Sequence, residues 1–125
     1  MARRRVLIVE DNQEFARLMR LNLEAGDAYE VRCECESSRV PAAVQEFRPE
    51  VILMDVRLPG RSGLDLALDI HAQPATKAVP IIFLTGTISQ EEVQAHHGII
   101  DGYPCLAKPV TPDELCACIE QQFNG

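Results

Sequence analysis

Apolar residues arrive in short bursts whose period changes along the chain. Arg5-Val6-Leu7-Ile8-Val9 is a compact β-branched run and predicts a strand that ends at Glu10-Asp11. Asp11 with Glu14 makes an acidic helix start, and Phe15, Leu18, Met19, Leu21 and Leu23 carry a helical rhythm to Gly26. Residues 29–35 alternate apolar and charged, the pattern of a half-exposed edge strand. Ser38 opens a helix through Val44 and Phe47, which stops before Pro49. Val51-Ile52-Leu53-Met54 predicts a strand buried on both faces, and Leu58-Pro59-Gly60 a turn after Asp55. Leu64, Leu66, Leu68 and Ile70 mark a third helix closed by Pro74, and residues 79–84 a second fully apolar strand. Ser89 with Glu92 reads as a capping box for a short fourth helix. A fifth strand is expected over 103–107. Thr111-Pro112-Asp113-Glu114 then joins cap, N1 proline and capping-box glutamate, and Leu115, Ile119 and Phe123 share one stripe.

Five strands alternating with five helices predict an α/β fold: a doubly wound, five-stranded parallel sheet with both faces covered. The order 2-1-3-4-5 would put strands one and three side by side at the switch point, with the apolar strands 51–54 and 79–84 central. In such a sheet ligands bind beyond the carboxyl ends of the strands. The residues at those ends are Glu10, Asp11, Asp55, Thr85 and Lys108.

The 125 residues suit a single domain, 1–125, and 46% hydrophobic residues suffice for a core. A net charge of −7 argues against nucleic-acid binding by this segment. The basic start, Arg3-Arg4-Arg5, precedes an apolar run too short for a signal peptide, and no run is long enough to span a membrane. The odd set Cys33, Cys35, Cys105, Cys116 and Cys118 fits a reducing cytoplasm. Two C-x-C pairs invite a metal reading, but small apolar filler is the simpler one.

Glu10, Asp11 and Asp55 in one pocket repel one another unless a cation joins them. Oxygen-only ligands suit Mg²⁺. Three carboxylates, one Mg²⁺ and Lys108 sum to zero charge, which lets a phosphoryl donor approach. Taken singly, Asp11 is a helix cap, Asp55 a turn residue, Thr85 a strand-end hydroxyl and Lys108 a solvated charge. The specific signal is the set at successive strand ends.

The whole set resembles the response-regulator receiver family (CheY-like) of two-component signalling. The resemblance is carried by Val6-Leu7-Ile8-Val9-Glu10-Asp11-Asn12, by Val51 to Gly60 with Gly63, by Ile82-Phe83-Leu84-Thr85-Gly86 and by Lys108-Pro109. It implies that Asp55 accepts a phosphoryl group from a histidine kinase or phosphotransfer protein. It further implies that Glu10, Asp11, Asp55 and the backbone carbonyl of Arg57 hold Mg²⁺. Thr85 and Lys108 would contact the phosphoryl oxygens, and a cis Lys108-Pro109 bond would aim Lys108 into the site. The domain would catalyse only its own phosphorylation and dephosphorylation. Output would pass to an effector protein or attached output domain through the face formed by the fourth helix, fifth strand and fifth helix, in a monomer or weak homodimer.

Two departures stand out. Cys105 occupies the switch position where an aromatic is usual, so the readout is expected to be altered, with Tyr103, on the same strand parity, as a substitute. His96-His97-Gly98-Ile99-Ile100-Asp101-Gly102 replaces the usual approach to the fifth strand, and its histidines are expected to be plain exposed ones. Arg57 and Thr87 sit where the family tunes phosphoryl hydrolysis. Among rivals, an FMN-binding flavodoxin would meet repulsion from Glu10-Asp11, and a haloacid-dehalogenase-type phosphatase wants an acid where Arg57 stands. The alternative kept is a phosphorylation-independent interaction module on the same fold.

Overall fold

The computed structural model describes residues 3–86 and 89–124, so Thr87 lies outside the described residues. Five parallel strands run through the centre: β1 (Arg4–Val9), β2 (Tyr29–Glu34), β3 (Val51–Asp55), β4 (Ile81–Thr85) and β5 (Tyr103–Ala107). Their order is β2-β1-β3-β4-β5, as the pattern predicts. The sheet has a sixth member that the pattern did not announce. Ile99–Ile100 pairs antiparallel with the start of β5 and covers that edge. The connecting Asp101 and Gly102 both have positive φ, 54° and 84°, the backbone of a two-residue hairpin turn.

Five helices flank the sheet: α1 (Gln13–Glu24), α2 (Val40–Phe47), α3 (Gly63–Ala72), α4 (Gln90–Ala95) and α5 (Pro112–Gln121). A 3₁₀ turn, Ser37–Arg39, leads into α2. Among the described residues no helix is long and apolar enough to cross a membrane.

Strand alternation divides the core. Val6, Ile8, Leu53, Ile82 and Leu84 face α1 and α5, meeting Ala16, Met19, Leu23, Leu115 and Ile119. Leu7, Val9, Ile52, Met54, Ile81 and Phe83 face the other way, meeting Val40, Ala43, Val44, Leu66, Ala67 and Ile70. Each fully buried large aliphatic side chain contributes about 1.5–3 kcal/mol. The residues of β3 and β4 are all buried, which confirms these strands as central.

Local signals mostly act where expected. The full capping box at Thr111 and Glu114 is present. At α4 the Ser89 hydroxyl accepts from the Glu92 amide at 3.1 Å. At α1 the cap is Asn12 rather than Asp11: Asn12 Oδ1 accepts from the Phe15 amide at 3.0 Å. The shift by one residue leaves Asp11 free of capping duty. Strand β4 starts at Ile81 rather than at 79. Pro80 has no N–H to give a ladder, and the Val79 amide turns back to the Thr76 carbonyl at 3.1 Å.

Candidate functional site

Register brings the site together. Val9 pairs with Met54 across β1 and β3, so Glu10 and Asp55 emerge side by side from neighbouring strands. Asp55 pairs with Leu84, and Thr85 with Ala107, so Thr85 and Lys108 stand at the same edge. The Lys108 amide donates to the Thr85 carbonyl at 2.8 Å, tying the end of β5 to the end of β4. The Lys108-Pro109 bond is cis.

Lys108 Nζ donates to Glu10 Oε1 at 2.7 Å and to Asp55 Oδ2 at 3.0 Å. The other Asp55 oxygen, Oδ1, accepts from the Arg57 amide at 2.9 Å. Glu10 is 1% exposed, and its Oε2 is buried with no hydrogen-bond partner among the described residues. Asp11 is exposed at the rim. One carboxylate oxygen from each of Glu10, Asp11 and Asp55 lies within 4.8 Å of the others. This is the only such acidic, histidine or cysteine group of three or more among the described residues. The donor set therefore fits a hard cation: all oxygen, close together, with one buried oxygen unpaired.

The charges push one another. Burial raises the Glu10 carboxyl to about 7, helped by the adjacent Asp55 and opposed by Lys108. Burial also pushes Asp55 up, but the adjoining Glu10 carboxyl, the Arg57 amide and Lys108 outweigh it and hold Asp55 below its ordinary value. Burial would lower Lys108, yet its two carboxylate partners carry it above the usual lysine range. The result is an ionised Asp55 beside a protonated Lys108, with Glu10 poised near neutrality.

Gly63 explains how Asp55 is presented. A Cβ at Gly63 would sit 2.3 Å from the Asp55 carbonyl oxygen, so α3 approaches the end of β3 only because this residue has no side chain. The Gly63 amide donates to the Val56 carbonyl at 2.8 Å and closes the loop.

The sequence-predicted set Glu10, Asp11, Asp55, Thr85 and Lys108 converges at one sheet edge. Thr85 is 1% exposed. Cys105 is buried, and its register partner on β4 is the aromatic Phe83. Tyr103 packs edge-on to Phe83, with ring centroids 5.0 Å apart, and stacks on His71 at 5.8 Å. It thus stands at the amino end of β5, remote in register from Thr85. His96 and His97 are exposed. Cys33, Cys116 and Cys118 are half-buried against the core, and all five cysteines are free thiols. Two participants escaped the sequence reading. One is the Arg57 amide, which only the turn geometry reveals. The other is Phe15, whose ring centroid lies 4.6 Å from Lys108 Nζ; the two stand far apart in the chain, so no local signal marks the contact.

Known proteins bear on this arrangement. The family model described as the response regulator receiver domain matches residues 6–120. The phosphate regulon regulatory protein PhoB of Rhizobium meliloti is 32% identical over 121 residues, 96% of this chain and 52% of that protein. The DNA-binding response regulator MtrA of Mycolicibacterium smegmatis is 32% identical over 123 residues, 98% of this chain and 51% of its own length. The chain therefore spans about half the length of these relatives. Among solved structures, the chemotaxis response regulator CheY4 of Vibrio cholerae superposes with a TM-score of 0.80 at 25% identity, covering 97% of this chain and 99% of that one. A Chloroflexus aurantiacus chain assigned as a response regulator gives 0.83 at 29%, covering 99% and 100%. With the fold, the convergent acidic edge and these matches in hand, the chain belongs to the response regulator receiver domain family of two-component systems.

Proposed function

We propose that Asp55 is the phosphoacceptor of this domain and takes its phosphoryl group from the phosphohistidine of a histidine kinase or phosphotransfer protein. The observation that carries the reading is the double contact of Lys108 with Asp55 and Glu10 beside three converging carboxylates. A carboxylate kept ionised by Lys108 and the Arg57 amide is ready to attack. In the transfer an Asp55 oxygen bonds to phosphorus, the phosphorus–nitrogen bond of the donor breaks, and the donor imidazole leaves with that electron pair. Lys108, already at Asp55, follows the phosphoryl oxygens and neutralises part of their charge. Thr85, at the end of the neighbouring strand, offers its hydroxyl to the same group in this reading. Such chemistry is mostly positioning and charge neutralisation.

The cation best suited to the site is Mg²⁺, held by Glu10, Asp11 and Asp55 with the Arg57 carbonyl as a further ligand. When bound, it supplies charge neutralisation of the phosphoryl oxygens. The domain acts only on its own acyl phosphate. Thr85 and Cys105 form its switch, and the state of Asp55 is read by an effector or an attached output domain. The site of action is the cytoplasm, where the kinases of such relays present phosphohistidine.

Incubation with acetyl phosphate and Mg²⁺ followed by intact-mass measurement tests this. One added phosphoryl group is expected on the wild type and none on Asp55→Asn. A wild type that gains nothing, while its metal site is filled, sinks the reading.

A further inference from the structure

We propose that Phe15 is a positioning residue for Lys108, holding the ammonium at the mouth of the site through the face of its ring. The inference rests on Asp55 being the phosphoacceptor and adds a residue outside the acidic and switch sets.

Three observations support it. The Lys108 ammonium lies 4.6 Å from the Phe15 ring centroid, within cation–ring reach. Two of the three ammonium donors go to Glu10 and Asp55, so the ring meets a head group already oriented by two carboxylates. Phe15 is itself anchored: its amide is held by the Asn12 cap at 3.0 Å, and its side chain packs, half-buried, against the core between α1 and α5. The turn that carries Asp11 therefore also places the ring.

An aromatic face suits this task better than an oxygen would. It attracts the ammonium but offers no lone pair, so it does not compete with a phosphoryl oxygen for the lysine donors. Phosphorylation turns Asp55 into a mixed anhydride and removes one carboxylate partner from Lys108. The ring contact persists while the ammonium shifts by a fraction of its reach, because no directional hydrogen bond has to break. A leucine at this position fills similar space and lacks the quadrupole, which separates positioning from mere packing.

The test compares Phe15→Leu and Phe15→Tyr with the wild type in the full chain, with acetyl phosphate and Mg²⁺ as the probe. Phe15→Leu is expected to take up phosphoryl roughly three- to tenfold more slowly, the size of one such contact. Phe15→Tyr is expected to stay close to the wild-type rate, with both variants melting alike. A wild-type rate in Phe15→Leu, or an equal loss in both variants, overturns the proposal. Exchange of the Lys108 ammonium protons, read by NMR without any phosphoryl donor, gives an independent measure. It is expected to quicken in Phe15→Leu and recover in Phe15→Tyr, and unchanged exchange overturns the positioning role. A wild type that takes no phosphoryl while this exchange still follows the ring sinks the acceptor reading alone.

Discussion

Lys108 Nζ lies 2.7 Å from Glu10 Oε1, and the carboxylate it meets is buried with its second oxygen unpaired. One cation serves Glu10 and Asp55 together, and burial with a like-charged neighbour pushes Glu10 up to about 7.

This makes stability depend on pH in a definite direction. Between about 4.5 and 7 the folded protein keeps a proton on Glu10 that the unfolded chain has released. The stabilisation is complete below the lower value and is lost as pH rises through the upper one. A shift of that size corresponds to about 3 kcal/mol. Asp55 runs the opposite way, so its contribution is present above the ordinary aspartate range and disappears only in stronger acid. Urea unfolding of the metal-free protein is expected to show a falling midpoint from pH 5 to pH 8, with Glu10→Gln flattening the fall. Mg²⁺ held at the proposed site would displace the Glu10 proton, so its stabilising effect is expected to be larger at pH 8 than at pH 5.5. A flat profile in wild type contradicts this account.

Gly63→Ala tests the close approach of α3 to β3. The new methyl would collide with the Asp55 carbonyl oxygen at 2.3 Å, so the backbone must move. A loss of about 2–3 kcal/mol is expected in denaturant melts, with weaker phosphoryl uptake as Asp55 is displaced. Unchanged stability and uptake would show that the loop gives way freely.

Thr111→Ala removes the hydroxyl that accepts from the Glu114 amide at 3.1 Å. The expected cost is about 1 kcal/mol in urea or thermal unfolding, with the acceptor chemistry intact because the cap bonds lie within the first turn of α5.

Cys105 bears on the readout. It is buried beside Phe83, and Tyr103 is already engaged by Phe83 and His71. Beryllofluoride with Mg²⁺ is therefore expected to shift the NMR signals of Asp55, Thr85 and Lys108 strongly, and those of Tyr103 and Ile99 weakly. Large shifts across α4, β5 and α5 would show that the switch works without an aromatic at 105.

Much of this was legible in the sequence because long-period signals are strong. The apolar runs at Val51 and Ile81 could only be buried strands, and their carboxyl ends located Asp55 and Thr85 before any geometry was known. Shorter features carried too little pattern. Ile99–Ile100 spans two residues, and the Asp101-Gly102 dipeptide beside it was the hairpin signal that could have announced it. Asn12 displaced Asp11 as the cap because both residues suit the role and only the backbone decides between them. The cation–ring contact of Phe15 with Lys108 joins residues far apart in the chain, which no local period encodes.

The central claim is that the phosphoryl group resides on Asp55. Borohydride reduction after acetyl phosphate treatment converts an aspartyl phosphate to homoserine, and peptide sequencing by mass spectrometry then locates it. Homoserine at position 55, absent without Mg²⁺, is the predicted result. Homoserine elsewhere, or none in a protein that binds Mg²⁺, would contradict the account.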